Sequence, residues 1–120
     1  MPWLLVAAGS ALGGVGRLAI YLLLTRLGAD SFPWGTVVVN LLGSGVIGWF
    51  AGTSPPTSME ARYFVMTGIC GGFTTFSTFS LDTLNMLRAG EAGKAIAYVA
   101  LQLGLCLAGV WLGHAAAGRR

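Results

Sequence analysis

Five hydroxyls, Thr74, Thr75, Ser77, Thr78 and Ser80, stand in the stretch GGFTTFSTFS at residues 71–80, inside an otherwise apolar run from Tyr63 to Leu87. Neither helix propensity nor lipid solubility selects such a stretch. Gly71–Gly72 is expected to break or loosen a helix. A break frees carbonyls on one side and N–H groups on the other. At membrane depth such backbone survives only when buried in protein or lining a cavity. Freed carbonyls suit a small hard cation. Two antiparallel copies meeting at their breaks would bring two carbonyls each, a four-oxygen site for a sodium-sized ion. Past the break, Phe76 and Phe79 are three apart and are expected to share a helix face. Aromatic ring edges are electropositive and can face a dehydrated anion, with the Ser77 and Thr78 hydroxyls beside them. Core or lipid-facing aromatics show the same spacing, and both readings stand at this point.

Other polar residues fall in apolar surroundings, where they are costly and become functional candidates. Arg17 lies 14 residues past Trp3, roughly 21 Å along a helix. A mid-helix arginine costs about 2.5–3.5 kcal/mol on insertion scales. It either snorkels to the surface or supplies positive potential near an anion route. Asn40 lies in GTVVVNLLGSG. Its amide either bonds another helix or donates to a passing anion. Tyr98, Gln102 and Cys106 follow at i, i+4 and i+8, one weakly polar stripe that suits helix–helix bonding. Asp82 is the only carboxylate within a span, placed for a vestibule or for capping a polar face. His114 has no assigned role. Cys70 and Cys106 read as small apolar residues.

These groups need elements to hold them. The chain of 120 residues is 55% hydrophobic and 9% charged, where soluble domains carry about 25% charge. It therefore reads as an integral membrane protein, and the spread net charge of +3 argues against nucleic acid. Four stretches have the roughly 20 apolar residues a span needs: 3–24, 33–52, 62–87 and 94–115. The first is read as a retained helix, since no charged segment precedes it. The linkers TRLGADSFP, TSPPTS and AGEAG are short, as between antiparallel neighbours. Trp34, Trp49 and Trp111 fall near helix ends, at interface depth. Glycines recur four apart at 9 and 13, 48 and 52, 68 and 72, and 109 and 113, a spacing that lets helices approach closely in lipid. The expected fold is an all-α four-helix bundle, one domain over 1–120, with a broken third helix.

Four spans place both termini on one side, with Arg62, Arg119 and Arg120. Arg26, Arg88 and Lys94 face the other. Three against three gives almost no orientation bias. The balance points to insertion both ways round and to an antiparallel, dual-topology homodimer.

Together these stretches resemble the Fluc family of fluoride channels, also called CrcB. The likeness covers the whole chain. It rests on the glycine-rich first helix ending in Arg17, on GTVVVNLLG from Gly35 to Gly43, and on GGFTTFSTF from Gly71 to Phe79. The resemblance implies a dual-topology homodimer in the cell's inner membrane, with two fluoride pores along the subunit interface. It implies Phe76 and Phe79 as pore-lining rings, Asn40 as a donor to fluoride, and Ser77, Thr78 and Tyr98 along the path. It implies a central sodium held by the carbonyls of Gly71 and Thr74, and it matches Arg17 to the family's first-helix arginine. The chain departs from the family at Asp82, where glutamate is common, and at Gln102 and Cys106, where serine or threonine is common.

The function expected is passive, fluoride-selective export, with no enzyme activity. The rival class is a four-span proton-coupled multidrug exporter. That class needs a membrane-embedded acid in its first helix, where this chain has Arg17 and no carboxylate. A non-transporting scaffold subunit would not need Asn40 beside an irregular, hydroxyl-rich third span.

Overall fold

A computed structural model of the chain describes residues 2–28, 31–53 and 58–118. Helix α1 is Pro2–Arg26 and α2 is Trp34–Ala51. The third stretch opens with one α turn, Met59–Arg62, runs as π-helix through Tyr63–Cys70, and returns to α at Gly71–Phe73. Residues 59–73 together form α3. Helix α4 is Ser77–Arg88 and α5 is Ala92–Gly118. Four stretches, Pro2–Arg26, Trp34–Ala51, Met59–Arg88 and Ala92–Gly118, are long and apolar enough to cross a bilayer. The chain is a multi-pass membrane protein.

The spans lie within a few residues of those expected. The third starts earlier because Ser58 caps it: Ser58 Oγ accepts the Ala61 N–H at 3.2 Å, with Glu60 in the first turn. The turn at 89–91 closes as glycine-capped helices do. Gly90 takes φ 76°, and the Glu91 N–H reaches back to the Met86 carbonyl at 2.9 Å. Residues 29–30 and 54–57 of the other two linkers, and Arg119 and Arg120 of the charge count, lie outside the described residues.

Glycine stripes decide which helices pair. Gly9 and Gly13 of α1 lie against α3: a methyl group added at Gly9 would sit 2.9 Å from Gly68 Cα, and one at Gly13 would strike the Ile69 carbonyl oxygen. In α2 and α5, a methyl at Gly48 would strike the Val110 carbonyl oxygen, and one at Gly113 would lie 2.9 Å from the Trp49 nitrogen. Backbones this close replace the driving force that apolar burial supplies in water but not in lipid. Large apolar side chains such as Val15, Leu107 and Trp111 point outward, each about 70% exposed, as lipid contact allows.

The break expected at Gly71–Gly72 is not where the backbone departs. Both glycines are helical. Gly72 serves close packing instead, since a methyl there would lie 2.6 Å from the Ser10 carbonyl oxygen. The helix ends after Phe73. Thr74 is extended, at φ −86° and ψ 160°, and α4 begins at Ser77. Thr74 and Thr75 are β-branched and followed by an aromatic, all weak helix formers, and their hydroxyls compete for backbone partners.

Candidate functional site

The irregular segment at 74–76 is held by Asn40 of α2. The Thr75 N–H donates to Asn40 Oδ1 at 2.8 Å, and Asn40 Nδ2 donates to the Thr75 carbonyl at 3.0 Å. A backbone N–H can only donate and a carbonyl only accept, so the orientation of the Asn40 amide is fixed. Its second Nδ2 hydrogen points to Gln102 Oε1 at 3.4 Å. That leaves Gln102 Nε2 to donate to the Tyr98 hydroxyl oxygen, 3.4 Å away. The Tyr98 proton then goes to Asp82 Oδ2 at 2.8 Å, which also accepts from the Thr36 hydroxyl at 3.0 Å. Main-chain atoms of one residue thereby set the direction of a chain of side-chain hydrogen bonds ending at a carboxylate. Cys106 joins it, its thiol 3.5 Å from Gln102 Oε1.

The Asn40–Gln102 end of the chain borders an open cavity of about 340 Å³ whose walls include Asn40, Thr74, Thr75, Phe76, Phe79 and Gln102. The two phenylalanine rings meet edge to face, centroids 5.4 Å apart at 64°. Phe76 is the N-cap of α4, with helical backbone angles, and Phe79 follows three residues on. Phe76 projects outward, 73% exposed, whereas Phe79 is 7% exposed and leans on Tyr98, centroids 5.3 Å apart.

The other expected site residues are distributed around this core. Tyr98 is fully buried and stands behind the cavity wall, between Asp82 and Gln102. The Ser77 hydroxyl is exposed, 3.5 Å from that of Thr75. Thr78 lines a separate hollow beside Asp82 and Thr36. Its N–H donates to Thr75 Oγ1 at 3.2 Å, a side-chain bond from the residue just ahead of the helix N-cap. Arg17 is half-buried on α1 and absent from the walls of these hollows. Asp82 ends the hydrogen-bond chain, accepting from Thr36 and Tyr98.

Gly71 and Thr74 acquire a shared property at the break. In a continuous helix their carbonyls would accept from Thr75 and Thr78. Those two N–H groups go to Asn40 Oδ1 and Thr75 Oγ1 instead. Both carbonyls therefore lose their helical donors, and Gly71 is exposed. Main-chain oxygens in this condition match the donor set of a hard cation.

Sequence reasoning missed Thr36 and the clamping role of Thr75. A signal for Thr36 was present, since it lies one helical turn before Asn40 on the same face. The role of Thr75 had no signal, because it comes from main-chain atoms.

The paired glycine seams, the clamped irregular segment and the polar chain beside it define a small four-span membrane protein built around an intramembrane polar route. The family described as "CrcB-like protein, Camphor Resistance (CrcB)" matches residues 4–114, and the chain belongs to that family. Three relatives that match nearly its whole length are each named fluoride-specific ion channel FluC. The one from Opitutus terrae is 52% identical, covering 96% of this chain and 91% of the relative. Those from Rhodospirillum rubrum and Methylocella silvestris are 47% and 45% identical, each covering 98% of this chain and 95% and 93% of the relative.

Proposed function

We propose that this chain forms a fluoride-selective passive anion channel that exports fluoride from the cytoplasm across the inner membrane. The observation that carries the reading is the cavity at residues 74–76, where Asn40, Thr75, Gln102 and the Phe76–Phe79 edge contact border one space. Membership in a family whose relatives are named as fluoride channels supports it.

From acidic surroundings fluoride enters a cell as neutral HF and is trapped as the anion in a near-neutral interior. A negative interior supplies about 2.3 kcal/mol per 100 mV for each charge expelled, so a passive pore suffices. Selectivity over chloride comes from a narrow, rigid route whose hydroxyl donors and ring edges replace fluoride's tightly held water, with the Asn40 amide, its N–H groups given to Thr75 and Gln102, holding the wall. The cavity opens on the outside of the protomer, and a second, antiparallel copy would close it into a pore. The carbonyls of Gly71 and Thr74 from both copies would hold a structural sodium, whose charge lowers the cost of anions in a low-dielectric setting.

The test is anion efflux from liposomes containing the purified protein and a potassium ionophore. Fast fluoride release with little chloride release, lost in Phe76→Ala or Phe79→Ala, is expected. Equal release of both anions, or none from intact dimers, would overturn the reading.

A further inference from the structure

We propose that Lys94 supplies the positive potential that lets an anion approach the Asp82 end of the polar chain. The inference rests on the fluoride reading above. Two hollows, of about 300 and 250 Å³, border Asp82, and Phe32 and Pro33 line both. Tyr21, Thr36 and Thr78 line the first, Asn85, Glu91 and Lys94 the second. The Phe32 ring is fixed against Tyr98, edge-on at 87° with centroids 5.4 Å apart.

Left alone, this mouth repels anions. Asp82 lines both hollows and Glu91 lines one. Among the described residues, Lys94 is the only cationic side chain in either wall. Its place is set by the main chain: Nζ donates to the Ser31 carbonyl at 2.7 Å and lies 3.7 Å from Glu91 Oε2. The side chain is 35% exposed, so the ammonium borders both water and the hollow. Arg17, the arginine that sequence linked to anion electrostatics, is in the wall of neither.

A charge at a mouth raises the local concentration of counter-ions and the entry rate, and salt removes the effect. The screening length falls from about 30 Å at 0.01 M to about 3 Å at 1 M. The experiment is initial fluoride efflux, at fluoride levels below saturation, in low and high concentrations of an impermeant salt. Lys94→Met is expected to slow efflux by about three- to tenfold at low salt and by less than about twofold at high salt, in keeping with steering. Lys94→Arg keeps the charge and is expected to restore the low-salt rate. Glu91→Gln, which removes a competing carboxylate, is expected to speed low-salt efflux. A Lys94→Met defect of equal size at both salt levels would assign Lys94 to fastening the Ser31 turn and overturn the proposal, as would no defect at all. Absence of fluoride efflux from the unsubstituted protein would overturn the fluoride reading itself, and this inference with it.

Discussion

At the residue scale, the two phenylalanines of the cavity are not equivalent. Phe79 is buried against Tyr98, while Phe76 is mostly exposed and meets its own protomer at the Phe79 ring. Phe79→Ala is expected to destabilise the protomer by about 3 kcal/mol, as buried aromatic truncations do, and Phe76→Ala by less than about 0.5 kcal/mol. Thermal unfolding in detergent separates them, with both expected to lose fluoride efflux. Asn40 gives a second separation. Asn40→Asp keeps an acceptor for the Thr75 N–H but loses the donors to the Thr75 carbonyl and Gln102. It sets a charge beside a carbonyl, with a stability loss of about 1–3 kcal/mol expected from the unsatisfied partners. Fluoride efflux is expected to fall at least tenfold, and an unfolding midpoint equal to the parent's would show that the clamp does not hold the segment.

At the element scale, the close helix pairs depend on particular glycines. Gly13→Val is expected to prevent assembly, since any β-carbon there meets the Ile69 carbonyl, whereas Gly14→Ala is expected to be neutral, with open space around it. Size-exclusion profiles of the two purified variants check this. The four glycine stripes were legible in the sequence; their pairing was not. Stripes of one spacing fit one another in several combinations, and only the tertiary structure joins the first span to the third and the second to the fourth. The irregular segment shows the same limit. GGFTTFSTFS announced trouble for a helix, but two uses for glycine competed there. Packing against Ser10 took Gly72, and the departure moved on to Thr74, where the Asn40 amide, thirty-five residues away in sequence, captures the Thr75 peptide. Local propensity carries no information about such a partner. Asn40 itself was legible as a polar group in an apolar helix, and Asp82 as a lone intramembrane acid, but not the hydrogen-bond chain that connects them.

At the scale of the whole molecule, the proposed channel requires a second copy. With three basic residues counted on each side, a C-terminal tag is expected to be reachable by an impermeant protease in about half of the copies on either face of the membrane, as the absence of charge bias implies. Protection of nearly all tags from one face would establish a single orientation. The purified species is expected at twice the 12.4 kDa chain mass. Replacing sodium by a bulky organic cation on both sides is expected to slow fluoride efflux without dissociating the dimer at once, and unchanged efflux after prolonged exchange would remove the sodium from the proposal.

The alternating glycine seams also bear on biogenesis. A ribosome delivers the spans in order, yet the first has its close partner in the third and the second in the fourth. The newly inserted first hairpin therefore sits in lipid with two open grooves, one filled only when Gly68 and Gly72 emerge and the other only when Gly109 and Gly113 do. A nascent chain stopped near residue 53 is expected to be a substrate for membrane quality control, while one released after the fourth span is not. Assembly is thus timed by the second half of the translation product.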